Sequence, residues 1–73
     1  MNDRYSILIQ WSNEDQIYLA SLPEFGPYAR THGNSYEDAL KNAREVLELL
    51  IEDYRARNKP LPSPSNLKIT VEI

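Results

Sequence analysis

The sequence predicts an α+β fold: one small domain in which a single long helix packs on a sheet. Three patterns predict it. Residues 5–11, YSILIQW, alternate with a period of two, so Tyr5, Ile7, Ile9 and Trp11 point one way and Ser6, Leu8 and Gln10 the other. From residue 36 the apolar side chains recur at helical spacing. The last seven residues, LKITVEI, alternate again, with Leu67, Ile69, Val71 and Ile73 on one face.

Element by element, the order is β-β-β-α-β. After the first strand, SNED at 12–15 is rich in turn formers, and QIYLASL at 16–22 resumes the strand pattern, so the pair forms a hairpin. The second strand is apolar on both sides, and the sequence leaves its inward side open. PEFGP at 23–27 ends that strand, because Pro23 and Pro27 lack a donor for the ladder and Gly26 permits a bend. YARTH at 28–32 is a short third strand, broken by Gly33 and Asn34.

The helix starts after Ser35. Tyr36, Leu40, Ala43, Leu47, Leu50 and Tyr54 advance by four and three, and Ala39, Val46 and Ile51 widen the stripe. Glu37 precedes Lys41 by four, the favourable order for a helical ion pair. Arg55, Arg57 and Lys59 sit at the negative end of the helix dipole, and Pro60 is the expected stop. KPLPSPSN then connects to the final strand, which is expected beside the first, next to the antiparallel meander of the first three strands.

The totals exclude several classes of protein. The 73 residues suit one domain and leave no room for a second. With no cysteine there are no disulfides, no thiolate nucleophile and no cysteine-based zinc site. A small secreted domain usually needs such staples, so a cytoplasmic protein is expected. No apolar run approaches the ~20 residues that span a bilayer, so no membrane association is expected. The net charge of −3, with Lys and Arg scattered among carboxylates, argues against direct nucleic-acid binding and favours basic protein partners.

The segment THGNSYEDALKNA, residues 31–43, gathers His32, Ser35, Glu37 and Asp38 in seven positions. A histidine base needs a nucleophile or an orienting carboxylate, and a metal needs further ligands; no second histidine exists. Ser35 is better used as a helix N-cap, with Asp38 completing an S-x-x-D capping box and Gly33 supplying the turn geometry. Glu14 and Asp15 belong to a solvated hairpin tip, and Glu48, Glu52 and Asp53 to a solvated helix face. No catalytic, cofactor or metal-binding residues are therefore expected. Glu24, in the one irregular loop, and the aromatics Trp11, Tyr18, Phe25 and Tyr28 are the candidate partner contacts. The aromatics are expected together near one end of the sheet. A sheet face carrying Leu8 and aromatics would gain from a second subunit, which predicts a homodimer.

Laid out this way, the chain resembles the N-terminal domain of the HicB-like antitoxin family. The matching segments are YSILIQWSNEDQIYLASLPEF, THGNSYEDALKNAREVLELLIEDY and KPLPSP. They look like the family's opening hairpin, its LPE strand end, its GxSxEEAL-xNA helix start and its proline connector. FGPY stands where many members have Pro-Gly and a small residue. The resemblance implies a partial ribonuclease-H-like fold of the same β-β-β-α-β order. It also implies a role: binding a small basic toxin with a double-stranded-RNA-binding fold and covering its RNA-cleaving site. Family antitoxins usually continue into a DNA-binding domain, whereas here a single HicB-like domain, residues 1–73, is expected. A ribonuclease H site needs a carboxylate on the first strand, and YSILIQW has none, so no enzyme is expected. Two other functions compete: an orphan dimeric scaffold or regulator without a toxin, and a nucleic-acid-binding module, which the acidic charge disfavours.

Overall fold

The computed structural model describes residues 4–64. Within them the order is β1 (Leu8–Ser12), β2 (Ile17–Ser21), a single 3-10 turn (Pro23–Phe25), β3 (Arg30–Gly33) and α1 (Tyr36–Ala56). The strands form an antiparallel sheet in the order β1-β2-β3. The α+β class, the meander and the long helix on the sheet are as the sequence predicts. The final strand at 67–73 lies outside the described residues.

The hairpin turn falls one residue later than expected, on 13–16, because Gln16 takes a left-handed conformation (φ 56°) and its N–H donates to the Ser12 carbonyl at 2.8 Å. The register pairs Ile9 with Ala20, Trp11 with Tyr18 and Ser12 with Ile17, and Tyr18 with Gly33 on the other side. Cα partners in an antiparallel pair send their side chains to the same face. This decides the inward side of β2: Tyr18 and Ala20 face the helix together with Ile9 and Trp11. Leu22, just beyond the strand, is only 1% exposed and anchors the core with Ala20, Ala39, Ala43, Leu47, Ile51 and Tyr5. The opposite sheet face carries Leu8, Gln10, Ile17, Leu19, Ser21, Arg30 and His32. Leu8 is 50% exposed there, and the expected aromatics are absent from this face because the register turns Trp11 and Tyr18 toward the helix.

Gly33 is the last residue of β3 rather than a break in it, and its backbone angle is not left-handed. It must be glycine because β3 passes directly under the start of α1. A Cβ at Gly33 would overlap the Ala39 backbone nitrogen and the Asp38 carbonyl carbon. Ser35 caps the helix as expected, its Oγ accepting from the Asp38 N–H at 3.1 Å. The bond runs one way; the return bond, in which the Ser35 N–H would donate to the Asp38 carboxylate, is not made among the described residues, since Asp is shorter than the usual Glu. The helix ends four residues before Pro60. Asn58 adopts the left-handed conformation (φ 56°), with Asn58 N–H donating to the Arg55 carbonyl at 3.1 Å and Lys59 N–H to the Tyr54 carbonyl at 2.8 Å. That pair of bonds is a Schellman stop with asparagine in the glycine position. The Glu37–Lys41 pair does not close, while Asp53 and Arg57, also four apart, meet at 3.1 Å.

Lengths decide what the sheet can cover. A helix of 21 residues is about 31 Å long at about 1.5 Å per residue. A five-residue strand spans only about 17 Å. The helix therefore overhangs the sheet, and the two overhangs are treated differently by the chain.

Candidate functional site

At one end, which we call the closed end, the helix C-terminus meets the start of the chain and the PEF turn. The Phe25 ring sits 4.9 Å from Tyr5 and packs edge-on against Tyr54 at 5.5 Å. The Tyr5 hydroxyl donates to the Pro62 carbonyl at 2.6 Å, which ties the segment after the helix back to the start of the chain. The Lys59 ammonium stands 5.0 Å over the Tyr54 ring, a cation–π contact. Glu24 completes this end. Its two carboxylate oxygens accept from the Ser6 N–H at 3.0 and 3.1 Å, and Oε2 accepts from the Ser6 hydroxyl at 2.9 Å. Glu24 thus fastens the loop to the residues leading into β1.

At the other end, the open end, the hairpin turn and the helix N-terminus come together. Trp11 and Tyr18 are cross-strand partners whose rings meet edge-on at 5.0 Å, and Tyr18 continues to Tyr36 at 4.4 Å. Trp11 remains 48% exposed and Tyr36 58%. Tyr36 and Leu40 belong to the stripe assigned to the core from periodicity, yet both are exposed. The close passage of β3 is under Asp38 and Ala39, and it leaves Tyr36 and Leu40 open to solvent.

The expected gathering of Trp11, Tyr18, Phe25 and Tyr28 at one end of the sheet is therefore corrected. Trp11 and Tyr18 lie at the hairpin end, and Phe25 at the opposite end, because β2 carries the chain across the sheet before the PEF turn begins. Tyr28 touches neither cluster and is 90% exposed on the loop before β3. That loop, with Ser21, Pro23, Gly26, Pro27 and Arg30, borders a shallow hollow of about 430 Å³ beside the sheet. Tyr36 was missed as a surface feature, as was the contact of Lys59 with Tyr54. The signal for Tyr36 was its place at the first helical residue, at the very end of the inward stripe.

The THGNSYEDALKNA segment is a joint. Besides the Ser35 cap, the Asn42 side-chain amide donates to the His32 carbonyl at 2.7 Å, so helix and strand are pinned across the glycine contact. The His32 side chain is exposed on the far sheet face. Among the described residues no group of three or more His, Asp or Glu side chains is placed to hold a metal ion. No helix among them is long and apolar enough to cross a membrane.

The family described as the HicB-like antitoxin of bacterial toxin–antitoxin systems matches residues 4–72. The chain belongs to that family. Its hairpin, PEF turn, helix cap and proline connector are the segments that carried the resemblance in the sequence. A relative described as UPF0150 protein Ta0767, from Thermoplasma acidophilum, is 29% identical over 68 residues, covering 93% of this chain and 96% of the relative. No solved structure matches this chain.

Proposed function

We propose that this HicB-like protein is an antitoxin that neutralises a small basic, RNA-cleaving toxin by covering its active site. The observation that carries the proposal is the family match across residues 4–72, and the net charge of −3 agrees with a basic partner. Masking is steric and needs no catalytic group on the antitoxin. Trp11 and Tyr28, both well exposed, are the direct contacts. Tyr18 supports Trp11 from below, and Phe25 and Glu24 hold the loop that presents Tyr28. The protein acts in the cytoplasm as a homodimer, its second copy covering the apolar part of the far sheet face formed by Leu8, Ile17 and Leu19.

Co-expression tests this. A small basic protein encoded beside this one is expected to arrest growth when expressed alone, to be tolerated when the two are expressed together, and to co-purify with this chain. Continued arrest, or no co-purification, overturns the proposal. Light scattering of the purified protein is expected to give the mass of a dimer at micromolar concentration, and a monomer there removes the homodimer.

A further inference from the structure

The closed end already contains the kind of contact that the open end lacks. Both ends are aromatic clusters under a helix terminus. At the closed end the chain's own Lys59 is seated on Tyr54 and its own Pro62 binds Tyr5. At the open end, among the described residues, the aromatic strip Trp11–Tyr18–Tyr36, continued by Leu40, is left uncovered. Its neighbours are carboxylates: Glu14 and Asp15 in the hairpin turn, and Glu37 and Asp38 directly after Tyr36, all exposed. Lys41 and Arg44 lie further along the helix and share one shallow hollow with Glu37 and Leu40. An uncovered aromatic strip edged by acids selects its occupant. RNA bases also stack on such rings, but the carboxylates of the hairpin turn and the first helical turn disfavour phosphates. A planar guanidinium suits both features, because it stacks on aromatic faces, pairs with carboxylates and sheds water more readily than an ammonium.

We propose that Trp11, Tyr18 and Tyr36 form a receptor for an arginine side chain of a basic protein partner, its guanidinium seated on the exposed ring faces of Trp11 and Tyr36 and paired with Glu14 and Glu37. This rests on the antitoxin proposal for the identity of the partner and deepens it by naming the group that is recognised. Tyr18 acts through its neighbours, holding both rings in place.

Trp11 is the chain's single tryptophan, so its fluorescence reports on this site directly. The full chain is titrated with an eight-arginine peptide, with eight-lysine, eight-glutamate and hexauridine as comparators. The arginine peptide is expected to change Trp11 emission saturably and to bind at least about threefold tighter than the lysine peptide, with no response to the other two. Tyr36→Ala, at an exposed position, is expected to weaken arginine-peptide binding about tenfold, and Glu14→Gln about threefold. Leu49→Ala, on the exposed outer side of the helix, is expected to leave it unchanged; circular dichroism confirms that each variant is folded. Equal binding of lysine and arginine peptides, a response to hexauridine, or unaltered binding by Tyr36→Ala overturns the receptor. Failure here and failure of the antitoxin proposal are separable. A wild-type chain that protects cells while Tyr36→Ala protects equally well overturns the receptor alone. One that binds the arginine peptide but protects against no neighbouring toxin overturns the antitoxin role alone.

Discussion

The two ends of α1 are built from the same materials and finished differently. Each places a tyrosine of the helix against an aromatic of the sheet region: Tyr54 on Phe25, and Tyr36 on Tyr18. At the closed end, the PEF turn, Tyr5, Leu61 and Pro62 fold over the overhanging helix, and Glu24 anchors the turn through Ser6. At the open end, among the described residues, nothing folds over Trp11 and Tyr36 in the same way. Aromatic side chains supply stability where the chain covers them, and a surface for another molecule where it does not.

The sharpest way to break that comparison is to remove one aromatic from each end. Phe25→Ala takes away a ring that touches Tyr5 and Tyr54 and packs on the core. It is expected to cost about 3 kcal/mol, the low end for a buried aromatic because Phe25 is only partly buried. Trp11→Ala is expected to cost less than about 1 kcal/mol, since nearly half of that side chain already faces water. Chemical denaturation of both variants, followed by circular dichroism at the helix band, measures the difference. Equal losses would mean that the open end is as much core as the closed one.

A smaller effect is expected at Gly33, which sets where the open end lies by letting β3 pass under the helix start. Gly33→Ala forces a methyl group into the Asp38–Ala39 backbone, which cannot yield as a side chain could. A loss of about 2 kcal/mol is expected, in the range for overpacking, seen as a lowered denaturation midpoint with an unchanged slope. Full stability in Gly33→Ala would show that the helix start can lift away from the sheet at little cost.

Gly33 also marks where the sequence stops being informative. Helix existence, its N-cap at Ser35 and its inward stripe were legible, because the 3.6-residue period and the capping serine are local signals. The need for glycine was legible too, but for the wrong reason: turn geometry was the local explanation, and the actual cause is a backbone six residues away in sequence. The same limit explains Tyr36 and Leu40. Periodicity says which side of a helix faces inward but not how far the sheet beneath it extends; strand pairing sets that. Trp11 and Phe25 were placed together for lack of a register, and only the pairing of Trp11 with Tyr18 and of Leu8 with Ser21 sends them to opposite ends. Asn58 as the helix stop was open to discovery, since asparagine is the usual substitute for glycine there, but the nearby Pro60 was the louder signal.

The smallest expected effect bears most directly on whether the closed end is a fair template for the open one. Lys59 stands over Tyr54 in a surface setting, where a cation–π contact contributes about 0.5 kcal/mol. The Schellman bond made by Lys59 uses its backbone N–H, so a side-chain change leaves the helix stop intact. Lys59→Gln alone confounds the contact with the loss of a charge near the helix C-terminus, which favours cations for its own reasons. A double-mutant cycle with Tyr54→Leu removes that ambiguity: the dipole contribution is present in both arms and cancels, leaving the ring–ammonium coupling. The cycle is expected to return about 0.5 kcal/mol, and Lys59→Arg to preserve it or raise it slightly, since a guanidinium stacks better than an ammonium. A coupling of zero would mean that Lys59 covers Tyr54 without being attracted to it. The closed end would then lend no support to a guanidinium seated on Trp11 and Tyr36, and the Tyr36→Ala titration would have to carry that receptor by itself.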